Sequence, residues 1–92
     1  MLKEPLNPSR AKAQMAAILA GGAVTFSKHA LEEMASDDLT AVDVANVLRA
    51  GAVDPAELER GSWRYRVRTQ RIEVVVAFRS ETELIVVTAW RR

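Results

Sequence analysis

The chain has 92 residues, of which 49% are hydrophobic and 27% charged, and this suffices for one globular domain with a single core. It contains no cysteine and one histidine, which excludes disulfides and thiolate metal sites, so we expect neither a metal nor a cofactor. No apolar run approaches the roughly 18–20 residues that span a bilayer, and residues 1–10 lack the apolar stretch of a secretory signal. We therefore expect one soluble, cytoplasmic domain over residues 1–92 without a membrane partner, in which residues 1–8 are a flexible N-terminus.

The charges are distributed unevenly between the two parts of the chain. Residues 1–59 hold five Lys/Arg and nine Asp/Glu, whereas residues 60–92 hold eight arginines and three glutamates. This asymmetry indicates an anionic partner, and the planar guanidinium group of arginine matches phosphate well. The alternative is that these arginines form only the solvated face of a sheet.

Three helices are predicted from their capping residues and from the spacing of their apolar side chains. The predicted N-caps are Asn7, Ser27 and Thr40, and the predicted stops are Gly21-Gly22, Asp37-Asp38 and Gly51. The helices then run from Pro8 to about Ala20, from Lys28 to about Ser36, and from Thr40 to Ala50. The segment Ala23–Phe26 is predicted to be a connector or a brief strand.

The apolar period changes to two at Trp63, which predicts strands over residues 63–68, 71–79 and 84–90. Residues 52–62 are predicted to be a connection. A two-residue turn at Thr69-Gln70 would set Val67 opposite Ile72 and Arg66 opposite Glu73, and the parity of the faces favours this register. A longer loop is the alternative, because Thr-Gln is a poor sequence for a two-residue turn. The predicted fold class is α+β, with N-terminal helices packed on a three- to four-stranded antiparallel C-terminal β-meander.

Two features are candidates for chemistry. His29 is the one side chain that titrates near neutrality without assistance, and it falls in the first turn of the second helix. It is either a general acid or base or a partly buried histidine bonded to a main-chain carbonyl. The strand arginines are the second feature, because alternate side chains share one face of a strand at steps of about 6.6–7 Å. The predicted RNA-binding residues are Arg64, Arg66, Arg68 and Arg79.

Several short motifs together resemble a known family. They are Phe26–Ala30, then Met34, a helix end at Leu48–Gly51, and a terminal strand at Val86–Trp90. This pattern resembles domain of unknown function 4258, and the resemblance covers the chain from residue 11 onward. It implies a RelE/barnase-like ribonuclease fold of bacterial toxins and metal-free RNA cleavage. His29 matches the most characteristic polar position of the family, whereas Glu33 and Asp37 stand where arginines are common.

These observations leave three hypotheses open. The first is a toxin-like, metal-independent endoribonuclease of toxin–antitoxin type, with catalytic residues His29, Arg64 and Arg66, RNA as substrate and a cognate antitoxin or inhibitor protein as partner. The second is a non-catalytic module on the same fold that binds RNA or a protein. The third is a protein that acts as a homodimer through an open edge of the meander.

Overall fold

A computed structural model describes residues 2–92. Three helices are present: α1 (Pro8–Gly21), α2 (Lys28–Ser36) and α3 (Ala41–Ala50). Six strands accompany them: β1 (Ala23–Phe26), β2 (Ala52–Val53), β3 (Glu57–Glu59), β4 (Ser62–Arg68), β5 (Ile72–Ser80) and β6 (Glu83–Arg91). Helices followed by a multi-stranded sheet confirm the α+β class.

All three predicted N-caps are confirmed. The side chain of Asn7 accepts a hydrogen bond from the N–H of Arg10 at 2.8 Å, and Ser27 accepts one from Ala30 at 3.0 Å. Thr40 and Asp43 form a reciprocal capping box at the start of α3. The hydrogen bonds from the main chain and side chain of Thr40 hold the pKa of the Asp43 carboxyl below its ordinary value.

The sheet is mixed, so the prediction of a purely antiparallel meander was wrong. Strands β4, β5 and β6 form the expected antiparallel meander, but β1 lies parallel to β6 in the order β1-β6-β5-β4-β2, and β3 pairs with β4. A parallel pair needs a long connection rather than a local turn, and two helices and four strands separate β1 from β6 along the chain. Strands β2 and β3 lie inside the stretch that was predicted to be a connection.

The predicted β4–β5 register is wrong by two residues, although the predicted faces are right. Val67 pairs with Val74 rather than Ile72, because residues 69–71 form a three-residue connection. The Thr69 hydroxyl accepts hydrogen bonds from the N–H groups of Arg71 and Ile72, which closes this longer turn. A shift of two residues keeps each side chain on its own face of the sheet.

The core lies between the sheet and the helices. One face of the sheet contributes the fully buried residues Tyr65, Val67, Val74 and Val76, and the helices contribute Met15, Ile18, Val44 and Leu48. The ring of Tyr65 also packs edge-on against Phe78, with 5.0 Å between ring centroids. The opposite face of β4, which carries the arginines, is left uncovered by α1 and α3.

Residues near the N-terminus contact this core, although residues 1–8 were predicted to be flexible; Met1 lies outside the described residues. Leu6 is 7% exposed, and its N–H donates to the Tyr65 hydroxyl at 2.9 Å. That hydroxyl donates in turn to Oε2 of Glu4 at 2.9 Å, and burial raises the pKa of Tyr65 to about 12. Within residues 2–92, no helix combines the length and apolarity required to cross a membrane.

Candidate functional site

The chain's single histidine lies at the start of α2, beside the outer face of the sheet. Ser27 caps the helix, and its hydroxyl also donates to the Val87 carbonyl at 2.8 Å, which fixes the start of α2 against β6. The side chain of His29 is 71% exposed. The alternative of a partly buried histidine bonded to a carbonyl therefore does not hold.

Glu33, one helical turn after His29, connects the histidine to β6. Its Oε1 lies 3.4 Å from Nε2 of His29 and accepts hydrogen bonds from the Thr88 hydroxyl and from the Ala89 N–H, the latter at 3.2 Å. At this distance the carboxylate is an electrostatic partner of the imidazole ring, and Nε2 is the ring nitrogen that faces Glu33.

Asp37 repeats the contact one turn later. Its Oδ2 accepts from the N–H of Arg91 at 2.8 Å, and the Arg91 guanidinium donates to the carbonyl of Asp37 at 2.8 Å and to that of Asp38 at 3.1 Å. Strand β1 covers β6 only as far as Val86, so beyond that point these two carboxylates replace a neighbouring strand. The acidic residues of α2 therefore bind main-chain N–H groups and hold the helix in place.

A β-bulge in β6 determines which side chains face the site. Val75 pairs with Thr88 but Val76 pairs with Val86, so one extra residue, Val87, is inserted between them. The bulge shifts the alternation of the strand, which directs Thr88 and Trp90 to the outer face.

Arg66 is held in place by its neighbours on the outer face. Its guanidinium forms an ion pair with Glu73, whose side chain is almost fully buried, and it lies 5.8 Å from the ring centroid of Trp90. Arg92 approaches the other oxygen of Glu73 at 3.9 Å. One N–H group of Arg66 is therefore engaged by a carboxylate of the protein itself.

Arg64 differs from Arg66 in that no carboxylate of the described residues lies within ion-pair distance of it. Its Nε is enclosed by the protein and has no acceptor among the described residues. Glu57 is its partner in the β3–β4 register, but the two side chains do not form an ion pair. Arg64 is therefore a cation without a carboxylate partner among the described residues.

One pocket of about 260 Å³ brings these groups together on the outer face. Its walls are formed by His29, Glu57, Glu59, Arg64, Arg66, Val75, Val87, Thr88 and Trp90. The predicted catalytic residues thus share one pocket. Two other predicted RNA-binding residues lie elsewhere: Arg68 pairs with Asp54 at 3.1 Å, and Arg79 borders a different pocket with Leu2 and Glu4.

Sequence reasoning missed four contributors to this pocket or its support. Glu33 was recognised only as a departure from the family pattern, although its i, i+4 spacing from His29 was visible. Thr88 depends on the bulge, and Glu57 and Glu59 fall in a strand of three residues that no pattern indicated. Among the described residues there is no cluster of three or more metal-ligating side chains.

Comparison with known proteins places residues 26–91 in a family model described as "Domain of unknown function (DUF4258)". The match begins at the strand residue before the α2 cap and ends in β6, so it contains the whole pocket. No curated protein and no solved structure matches the chain significantly.

Proposed function

Because the chain belongs to the DUF4258 family, whose description states no activity, we propose from the site itself that the protein is a toxin-like endoribonuclease that cleaves single-stranded RNA without a metal. The observation that carries the proposal is the shared pocket. It combines a histidine that lies 3.4 Å from a carboxylate with an arginine that has no carboxylate partner among the described residues. Phosphodiester cleavage requires a proton acceptor and a cation for the phosphate, and these residues supply both.

In the proposed reaction, Nδ1 of His29 accepts the proton of the ribose 2′-hydroxyl. The 2′-oxygen bonds to phosphorus, the bond from phosphorus to the 5′-oxygen breaks, and the leaving oxygen takes a proton from water in the open pocket. The products are a 2′,3′-cyclic phosphate and a 5′-hydroxyl. Arg64 binds the phosphate and stabilises the charge that develops on its oxygens, while Arg66 positions Trp90 and Thr88 borders the same space.

The proposal extends to the RelE/barnase-like fold and to a cytoplasmic toxin with a cognate inhibitor, as the family resemblance implies. Helices on one face of the meander and the pocket on its other face support this extension.

A second candidate is a non-catalytic module that binds RNA through the same face. The carboxylates of Glu57 and Glu59 on the pocket wall favour it, because their repulsion of a phosphate increases when further negative charge develops on the phosphate oxygens during cleavage. RNA turnover distinguishes the two candidates, since a binding module leaves the RNA intact.

The test is cleavage of a panel of labelled single-stranded RNAs in the presence of EDTA. We expect His29→Ala to lower the rate by about 10²–10⁴-fold while RNA affinity changes little. Arg64→Gln should weaken RNA binding and reduce the log–log salt slope by about 0.7, the value for one contact to a single strand. Arg79→Gln, with the same change of charge outside the pocket, is the matched control and should leave both properties unchanged.

Circular dichroism of each variant provides the folding control. Intact RNA after incubation with the wild-type protein across the panel and over a broad pH range would exclude catalysis. Binding of RNA without cleavage would then support the second candidate, and equal effects of Arg64→Gln and Arg79→Gln would remove the assigned phosphate site.

A further inference from the structure

Two glutamates lie on the wall of the pocket that contains His29 and Arg64. Glu57 and Glu59 alternate along β3, so their side chains share one side of the strand, and Glu57 pairs with Arg64 in the register of β3 and β4. Within residues 2–92, neither carboxylate has an ion-pair or hydrogen-bond partner. The pocket therefore offers two carboxylate acceptors beside the arginine that is assigned to phosphate.

The chemistry of a carboxylate limits what these two glutamates can bind in RNA. An ionised carboxylate accepts hydrogen bonds and cannot donate them. It repels the phosphates, so the groups that it can bind are the N–H donors of the bases and the 2′-hydroxyl of the ribose. In the proposed reaction the 2′-hydroxyl gives its proton to His29, which leaves the bases for Glu57 and Glu59.

Trp90 provides a second kind of contact for a base. Its ring lines the same pocket, and the guanidinium of Arg66 lies 5.8 Å from the ring centroid. Glu73, whose side chain is 11% exposed, forms an ion pair with Arg66 and so fixes the cation that lies against the ring. Aromatic side chains in such sites stack on every kind of base. Stacking on Trp90 therefore brings a base into the pocket, and hydrogen bonds to the glutamates determine which base is preferred.

We propose that this pocket selects a base with an exocyclic amino group and rejects uracil. Cytosine, adenine and guanine each carry an amino group that can donate to a carboxylate, as in the contact of acidic side chains with N4 of cytosine. Uracil has a carbonyl oxygen at that position, and its one N–H donor lies between two carbonyl oxygens that repel a carboxylate. A site that hydrogen-bonds a donor of its substrate discriminates strongly against the analogue without it.

This selectivity rests on the proposed function, which makes RNA the ligand of the pocket, but it can be measured without cleavage. The 3′-monophosphates of cytidine and uridine have the same size and charge, and neither contains the bond that the proposed reaction breaks. In NMR titrations of the full chain, we expect the cytidine nucleotide to bind about tenfold more tightly. The indole N–H signal of Trp90 should shift, whereas that of Trp63, the other tryptophan, which packs against the core, is the internal control.

A double variant, Glu57→Gln with Glu59→Gln, tests the acceptors at nearly constant shape. Glutamine keeps a carbonyl acceptor and adds an N–H donor, so it can bind either base. We expect nearly equal affinities for the two nucleotides, and a higher affinity for the uridine nucleotide than in the wild type because repulsion of its phosphate is removed. Glu32→Gln with Asp38→Asn removes two exposed carboxylates outside the pocket and should keep the wild-type preference.

Circular dichroism of both double variants provides the folding control. A preference for the cytidine nucleotide that is lost only in the pocket variant would support the proposal, whether or not RNA is cleaved. Equal wild-type affinities, or no binding of either nucleotide at millimolar concentration, would overturn it even if RNA is cleaved. An unchanged ratio in the pocket variant would also overturn it: tighter binding of both nucleotides would show that the glutamates act by repulsion alone, and weaker binding of both that they contact the ribose.

Discussion

Replacing Glu33 by alanine removes the acceptor that joins α2 to the last strand. The Ala89 N–H and the Thr88 hydroxyl both lose their partner, and Ala89 is completely buried. A buried donor left without an acceptor costs about 1–3 kcal/mol, whereas the hydroxyl can rotate towards solvent. We expect Glu33→Ala to lower the free energy of unfolding by about 2 kcal/mol, which corresponds to a fall in melting temperature of about 8–16 °C.

Urea unfolding followed by circular dichroism measures this loss, and the chain provides two controls. Glu33→Gln retains an oxygen acceptor, so its loss should stay below about 1 kcal/mol. Glu32→Ala removes a neighbouring, exposed glutamate from the same helix and reports the effect of charge and helix propensity alone. If Glu33→Ala unfolds at the same urea concentration as Glu32→Ala, the carboxylate does not hold α2 against β6 and the reasoning fails.

Two further predictions concern the ends of the core. A Cβ at Gly22 would overlap the carbonyl oxygen of Thr82, so we expect Gly22→Ala to destabilise the fold by about 1–3 kcal/mol in thermal unfolding. The neighbouring Gly21 has open space around it, and Gly21→Ala should be neutral or stabilising. The folded state raises the pKa of Tyr65 to about 12. The contribution of the neutral Tyr65 hydroxyl to stability should therefore be complete below pH 10 and lost as the pH rises from 10 towards 12. Tyr65→Phe removes the only tyrosine and should abolish this decrease of the free energy of unfolding between pH 10 and 12. An unchanged decrease in the variant would contradict the prediction.

The helices were predictable because their ends are determined locally. Asn7, Ser27 and Thr40 each bond to an N–H three residues away, so the capping residues carry the information by themselves. The β4–β5 register was not predictable to the residue, because it depends on the Thr69 side chain closing a longer turn. The parallel position of β1 depends on contacts between residues about 60 positions apart, which no local pattern encodes.

The candidate site was predictable in part. The alternation of β4 placed Arg64 and Arg66 on one face, and the family resemblance drew attention to His29. The sequence could not show that the three share a pocket, because a bulge at Val87 and the contacts of α2 with β6 bring them together. The acidic residues of α2 looked like a reversal of the charge that would bind phosphate, but in the structure their carboxylates bind main-chain N–H groups.

The arginines of residues 60–92 suggested an anionic partner in the sequence, but in the structure several of them bind groups of the protein itself. Many of them are bound within the protein: Arg66 to Glu73, Arg68 to Asp54, Arg91 to the carbonyls of Asp37 and Asp38, and Arg92 to the carbonyl of Thr69. The charge asymmetry therefore stabilises the sheet and its contacts more than it forms a continuous phosphate-binding surface. Of the two arginines in the pocket, Arg64 is the one without a carboxylate partner among the described residues. In the proposed binding of RNA, the contact to phosphate then depends on this one guanidinium, so we expect a salt slope of one contact.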